Sequence, residues 1–382
     1  MDNPFKKIID KLNLGSLSST IASIGGGGAD QAIGVDIGTS SIKIVELKKK
    51  NGRAVLETYS TLALGPYAGT DVGATTNLTT EQLTKAIADA MKEGSITSTN
   101  SAFSIPSSAS LVFLLEIPAG VAEKELSTIV PTEARKFIPV PINEVTLDYW
   151  VIPHRQDSFY EEGKTVDPNA SKSEVLTVAI HNDTLSKYRE VTQKAGLNTD
   201  IFEIEVFSSI RSTFAHELSA VLIMDLGASK TKLAIVEYGI VRSFHIANKG
   251  SVDMTNTIAR SLNIPFPKAE DLKRSIGLNG GGNNKAASDA AKLIVDQILT
   301  ESANVITAFE RKYNKPVSKV ILTGAGSLMP GFKEHATEVF RTEVVHGNPF
   351  DKVQVPEFIA KVLAETGPEF AVALGLALRK LG

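Results

Sequence analysis

Two stretches, Asp36-Ile37-Gly38-Thr39-Ser40-Ser41-Ile42-Lys43 and Asp225-Leu226-Gly227-Ala228-Ser229-Lys230-Thr231-Lys232, carry Asp, Gly, Ser and Lys at identical offsets. Each follows an apolar run, Ala32-Ile33-Gly34-Val35 in the first case and Ala220 to Met224 in the second, and each leads into another strand-like run. They lie a domain's length apart in a chain of 382 residues. The simplest reading is two homologous lobes, each opening on a hairpin with a glycine-containing turn, rather than a short tandem array. A chain of this length also exceeds what one hydrophobic core normally serves.

Two such turns facing each other would form a clamp for a phosphate chain. Glycine lets the backbone approach closely, and successive N–H groups with the Thr39, Ser40 and Ser229 hydroxyls would donate to phosphate oxygens. The paired aspartates would repel that anion unless a hard cation such as Mg²⁺ lay between, sharing carboxylate, phosphate and water oxygens. A lone Asp-x-Gly turn is an ordinary hairpin turn. A third element, Val320-Ile321-Leu322-Thr323-Gly324-Ala325-Gly326-Ser327, reads as a strand feeding a glycine-rich turn, which could equally be a plain strand-to-helix loop.

Hydrophobic residues make up 42% of the chain and charged residues 22%, enough apolar material for real cores. The net charge of −3 leaves no broad basic field for a nucleic acid backbone. The absence of cysteine excludes disulfides, zinc-thiolate sites and thiol chemistry. The six histidines show no metal-ligand spacing, and no Gly-x-Ser-x-Gly elbow is present. No run reaches the length of apolar residues that spans a bilayer, and Lys6, Lys7, Asp10 and Lys11 interrupt any signal-peptide core. A cytoplasmic location is therefore expected for the folded part.

Along the chain, residues 1–31 read as an amphipathic segment, with Phe5, Ile8, Ile9 and Leu12 at helical spacing, followed by a Gly-rich linker. Residues 32–106 form the first lobe, with strands at 32–35 and 42–47, a helix over 81–92 capped by Thr80, and a strand at 101–105. Residues 107–198 read as an inserted α+β module: strand 111–117, helix 123–137, strand 147–152, a polar loop from His154 to Ser173, strand 175–180 and helix 185–194. Residues 199–219 return to the first lobe through a strand at 200–205 and a helix at 206–216. Residues 220–367 make the second lobe, with strands at 220–224, 231–237, 240–246 and 319–323 and helices at 254–262, 268–276, 285–313 and 331–340. A final helix is predicted at 368–381.

The two phosphate-type loops and the later Thr323-Gly324-Ala325-Gly326 loop, in this order, resemble the actin/Hsp70/sugar-kinase superfamily. That resemblance implies an α/β fold of two ribonuclease H-like lobes with ATP and Mg²⁺ between them. Ala269-Glu270-Asp271-Leu272-Lys273-Arg274 looks like the superfamily helix that contacts ribose and base, and Phe370 to Ala377 resembles its second connecting helix. Within the superfamily, Glu133-Ala134-Arg135-Lys136-Phe137-Ile138-Pro139, followed by Leu147-Asp148-Tyr149-Trp150-Val151-Ile152, is similar to the inserted 1C (SHS2) subdomain of the PilM family of type IV pilus assembly proteins. FtsA-like cell-division proteins are neighbours. Ala195-Gly196-Leu197 and Glu203-Ile204-Glu205-Val206-Phe207 continue the likeness, which covers about residues 32–382.

The resemblance implies the following roles. Asp36 would orient Mg²⁺ through water. Asp225 would lie near the γ-phosphate and position the attacking water, with Glu205 as a weaker candidate for that task. Gly38, Thr39, Ser40, Ser41, Gly227, Ala228 and Ser229 in the two phosphate loops, Gly250, and Glu270, Lys273, Arg274, Gly324, Ala325 and Gly326 on the adenosine side would bind the nucleotide. Glu203 and Glu205 have a plainer reading as solvent-facing carboxylates at a strand end. Lys43 and Lys232 could touch phosphate or simply be polar faces of their strands, and are left outside the core site. Two departures from the family pattern, Ala228 where Thr is usual and Gly250-Ser251 where Gly-Gly is usual, make weak ATPase activity the expectation.

The implied function is a cytoplasmic ATP-binding scaffold, peripheral at the inner face of the cytoplasmic membrane. It would bind the N-terminal cytoplasmic peptide of a PilN-like membrane protein, by strand addition in the groove beside the insert, and link it to other pilus assembly components. Homo-oligomers and filaments, an FtsA-like division role and a small-molecule kinase remain alternatives. A kinase would need a general base beside a bound hydroxyl, for which the insert shows no signature. An Hsp70-like chaperone would need a further C-terminal substrate domain. The segment 1–14 is expected to attach to a partner or a membrane surface, or to pack on the body.

Overall fold

The computed structural model describes residues 30–118, 120–152, 172–215, 217 and 219–382. The Met1–Leu14 stripe, the linker, His216 and the His154–Ser173 loop as far as Ser171 lie outside the described residues. The strands are β1 (Gln31–Ile37), β2 (Ser41–Lys50), β3 (Arg53–Ala63), β4 (Asn100–Ile105), β5 (Ser110–Pro118), β6 (Val145–Val151), β7 (Lys172–His181), β8 (Asn198–Ile204), β9 (Ala220–Leu226), β10 (Thr231–Glu237), β11 (Ile240–Ala247), β12 (Val317–Thr323) and β13 (Glu343–His346). The α-helices are α1 (Thr80–Glu93), α2 (Glu123–Ala134), α3 (Asn182–Lys194), α4 (Glu205–Thr213), α5 (Ser251–Leu262), α6 (Phe266–Ser275), α7 (Lys285–Tyr313), α8 (Phe332–Phe340), α9 (Glu357–Thr366) and α10 (Ala371–Leu381).

Two sheets share one plan. The first runs β3-β2-β1-β4-β8 and the second β11-β10-β9-β12-β13. In both, the first three strands pair antiparallel and the last two join in parallel. The parallel additions need crossovers, which α1, the insert, α5 to α7 and α8 supply. The central strands β1 and β9 are buried along almost their whole length, so they read as continuous apolar runs rather than alternating ones.

Strand β3 was not expected, yet its signal is in the sequence. Asn51 and Gly52 take φ of 51° and 74°, the left-handed pair that a tight hairpin turn demands. Helix α1 starts one residue earlier than predicted, because Thr79 rather than Thr80 caps it. The Thr79 hydroxyl accepts from Gln82 N at 3.3 Å, and the Gln82 side chain accepts from Thr79 N at 2.9 Å. Helix α2 stops at Ala134, which leaves Phe137 beyond it stacked on Phe113 at 5.2 Å. Helix α4 begins at Glu205 and ends at Thr213. The final helix starts at Ala371 after a 3-10 turn over Gly367–Phe370.

The inserted module is an antiparallel sheet, β5-β7-β6, with α2 on one face. Leu115, Ile117, Leu126, Val130, Val175 and Ala179 fill the space between them. The other face is not free. Val178 and Ile180 of β7 share a core with Ile105 and Ile204 of the first sheet and with Val221, Ile223 and Ile321 of the second. Each fully buried aliphatic side chain here contributes about 1.5–3 kcal/mol, so the module is packed into the body.

One stretch expected in the second lobe lies elsewhere. Phe350 and Leu363 pack with Ala32, Leu47, Leu56, Phe370 and Leu374 on the first sheet, and Gln354 bridges to Val55 of β3. These apolar residues cover the outer end of the β2–β3 hairpin, which would otherwise expose its face to water. Among the described residues, no helix is long and apolar enough to cross a membrane.

Candidate functional site

The two glycine turns are built alike. Gly38 N donates to Ser41 O at 3.0 Å, closing the turn between β1 and β2. Gly227 N donates to Lys230 O, also at 3.0 Å, between β9 and β10. A Cβ on Gly38 would sit 3.0 Å from Ser41 O and one on Gly227 would sit 2.9 Å from Lys230 O, so both turns crowd a side chain against a carbonyl oxygen for the same reason. The turns meet: the Thr39 hydroxyl donates to the Ser229 hydroxyl at 3.3 Å.

Between them opens a cavity of about 720 Å³. Asp36, Gly38, Thr39, Ser40 and Ser41 line it from the first half, and Asp225, Gly227, Ala228 and Ser229 from the second. Glu205, Glu270, Lys273, Arg274, Gly324, Ala325 and Gly326 complete the set that sequence pointed to. Gly250 is the exception. It lies behind the second turn, where a Cβ would stand 2.4 Å from Ala228 O, and the N–H groups of Ser251 and Val252 support the turn by donating to Gly227 O and Ala228 O. Its role is to let α5 approach the turn, not to touch the cavity contents.

The carboxylates are strongly coupled. Asp36 is buried and accepts from Ser104 Oγ at 2.9 Å. Burial first, and the charge of Glu205 second, push its carboxyl up to about 6, against the opposing pull of Lys43, Lys232 and the Ser104 bond. Glu205 is not the solvent-facing strand-end group of the plainer reading. It is the first residue of α4, buried, and accepts from Ser107 N at 3.3 Å and Ser107 Oγ at 3.1 Å. Glu203 is equally buried but belongs to a different structure: Arg211 binds it at 2.7 and 2.8 Å, Ser208 at 2.5 Å, and Arg379 of α10 also pairs with it. Burial alone would raise that carboxyl, yet the two guanidinium groups hold it down at about 2.

Lys232 was set aside by sequence reasoning and proves central. Its Nζ is 2.9 Å from Asp225 Oδ2 and 2.9 Å from Glu205 Oε2. Burial would lower its pKa, but these two carboxylates outweigh burial and raise it. The signal available was its match in offset to Lys43. Tyr188 of α3 was also missed: it lines the cavity, and burial together with the charges of Glu205 and Asp36 raises its phenol pKa. Helical periodicity can mark Tyr188 only as a core residue, because the site lies far from it in sequence.

On the α6 wall of the cavity, Glu270 collects Thr255 Oγ1 at 2.6 Å, Lys273 Nζ at 2.7 Å and Arg274 Nε at 2.7 Å. Burial opposes its charge, but Lys273 foremost keeps its pKa lowered. Lys273 itself is pulled down by burial, which outweighs Glu270. The α6 side chains thus arrive pre-oriented. With hydroxyls, glycine turns and fixed charges of both signs along its walls, the cavity suits a polar, charged ligand.

A family model for the type IV pilus assembly protein PilM matches residues 34–381. Among solved structures, the chain superimposes on one from a PilM-PilN type IV pilus biogenesis complex with a TM-score of 0.77 and 24% identity, covering 93% of this chain and 100% of that one. It also matches the ethanolamine utilization protein EutJ from Carboxydothermus hydrogenoformans, with a TM-score of 0.50 and 15% identity over 98% of this chain and 99% of that one. The cell division protein FtsA of Neisseria meningitidis is 22% identical over 261 residues, 59% of this chain, and the chain spans only 62% of that relative's length. The chain thus has the two-lobed actin-like fold and belongs to the PilM family of type IV pilus assembly proteins.

Proposed function

We propose that the protein is a nucleotide-responsive scaffold of type IV pilus assembly that holds MgATP between its matched turns. The observation that carries this reading is the pair of identical glycine turns, joined by the Thr39–Ser229 hydrogen bond, at the mouth of one cavity. Backbone N–H groups and the Thr39, Ser40, Ser41 and Ser229 hydroxyls would bind the phosphates. Glu270, Lys273 and Arg274, with the Gly324–Gly326 turn, would take the ribose and base.

The residues present fit magnesium. Asp36 is a buried carboxylate crowded by Glu205, and a cation held against it through water would relieve that repulsion. When bound, the ion would screen the phosphate charges. Asp225 and Glu205 would then orient a water at the terminal phosphate, with catalysis resting on positioning and charge. Because Ala228 leaves the second turn without the hydroxyl usual at that position, occupancy rather than rapid turnover is the expected output.

The superimposed structure comes from a complex with PilN, and a PilN-like N-terminal cytoplasmic peptide is the proposed partner here. A strand-adding peptide would join the insert at β5 or β6, the two outer strands, since β7 is central. Such a partner would keep the protein peripheral at the inner face of the cytoplasmic membrane. In this reading the first lobe comprises residues 32–106, 199–219 and the stretch from Phe350 onward, the insert 107–198, and the second lobe the residues between 220 and Phe350.

The test is a titration of the full-length protein with MgATP and with a PilN-like peptide, alone and together. Asp36→Ala and Asp225→Ala should each abolish nucleotide binding. Unchanged affinity in both would refute the clamp, and no peptide binding in any nucleotide state would refute the scaffold.

A further inference from the structure

Lys232 stands opposite Asp225 on the β9–β10 ladder, so its side chain rises from the strand that follows the second turn. Asp225 belongs to the second sheet, whereas Glu205 opens α4 on the first. The ammonium of Lys232 therefore ties the two halves together across the cavity, 2.9 Å from a carboxylate oxygen on each side. Lys43, its counterpart by offset, lines the same cavity and makes no ion pair among the described residues. The two turns are the same in backbone but differ in what their lysines do.

We infer that Lys232 is the group that distinguishes a nucleoside triphosphate from a diphosphate, leaving Asp225 and Glu205 to bind the terminal phosphate when one is present. This rests on the nucleotide reading above and deepens it. An ammonium has three donors and no fixed plane, so it can exchange one anionic oxygen for another by a small rotation of its stem. In the absence of a terminal phosphate it neutralises two largely buried acids that would otherwise repel each other. A terminal phosphate carries more charge than either carboxylate and makes strong charge-assisted bonds to an ammonium. Transfer of Lys232 to it frees both acids at the moment when a water must be held beside the phosphorus. The lysine thus links the presence of the third phosphate to the release of the cross-cavity tie.

The experiment is calorimetric titration of full-length wild type, Lys232→Met and Lys232→Arg with MgATP and MgADP. Glu205→Gln is paired with the double variant Lys232→Met/Glu205→Gln, which leaves one unpaired acid, Asp225, in place of two. Loss of Lys232 should reduce the ratio of ATP to ADP affinity by about tenfold or more, the worth of one charge-assisted bond, with ADP affinity nearly unchanged; Lys232→Arg should retain part of the preference. A ratio that stays the same in the Met variants, even with a lowered melting temperature, would make Lys232 a structural tie and overturn the inference. Equal affinity of wild type for the two nucleotides would overturn it as well. Wild type that binds neither would instead bring down the nucleotide reading itself.

Discussion

The hydroxyl of Thr39 donates to the hydroxyl of Ser229 at 3.3 Å, joining two turns that the sequence separates by almost half the chain. Both are serviced by equivalent glycines, so the turns should fail alike. Gly38→Ala and Gly227→Ala would each force a Cβ to about van der Waals overlap with a carbonyl oxygen. We expect each to weaken nucleotide binding by about tenfold or more, with melting temperature changed far less, as read by titration and thermal unfolding. Tight binding retained in both variants would separate the turns from the ligand.

Asp36 sets a pH dependence. Its carboxyl is raised from 3.8 to about 6, so in the folded protein it is protonated below about pH 6 and ionised above. As pH rises from about 4 to 6 the unfolded chain has already lost this proton while the native state keeps it, so this group lowers stability over that window. Magnesium needs the ionised form, so magnesium-dependent nucleotide affinity should fall between pH 7 and 5 with a midpoint near 6. Asp36→Asn should flatten that profile, measured by titration at fixed ionic strength.

Glu203 acts in the opposite sense. Its carboxyl is depressed to about 2 by Arg211 and Arg379 in spite of burial, so its stabilisation is complete above the ordinary value of 4.5 and is lost only as pH falls toward 2. Removing it strands two guanidinium groups between α4 and α10. Glu203→Ala should cost about 3–5 kcal/mol in urea unfolding at pH 7. A cost below about 1 kcal/mol would show that water replaces the carboxylate.

Glu174 at the start of β7 links the insert to the second sheet: Arg242 Nη1 lies 2.7 Å from one oxygen and the Tyr313 hydroxyl 3.1 Å from the other. The group is partly exposed, so Glu174→Gln should change global stability by no more than about 1 kcal/mol. Amide hydrogen exchange should nevertheless rise in β7 and β11. Unchanged exchange there would assign the contact no role in holding the insert.

The sequence made the doubling of the fold legible because the turn chemistry is local: Asp, Gly and Ser recur at fixed offsets after apolar strands. It made most of the cavity lining legible for the same reason. Strand β13 was missed because four residues, Glu343 to His346, give no alternation to read, and α9 because its apolar residues are split between the sheet side, with Leu363 and Ile359, and solvent, with Phe358 and Val362. β3 was missed although Asn51-Gly52 announced it. Glu205 was named as a candidate, but its burial was not legible: a carboxylate at a strand end reads as solvated unless the donors around it, here Ser107 and Lys232, are known to converge, and Tyr188 was missed altogether.

The return of residues Phe350 to Leu363 to the first sheet means that the chain passes between the halves twice, near Phe214 and near Gly347. The two passages are side by side: Lys352 Nζ donates to Phe214 O at 2.9 Å, and the Gly347 backbone lies against Thr213. Bodies joined by two adjacent covalent threads can swing about the line through them but cannot slide apart, the geometry of a hinge. Any swing about that line would have to stretch the Thr39–Ser229 hydrogen bond, which joins the two halves away from the threads.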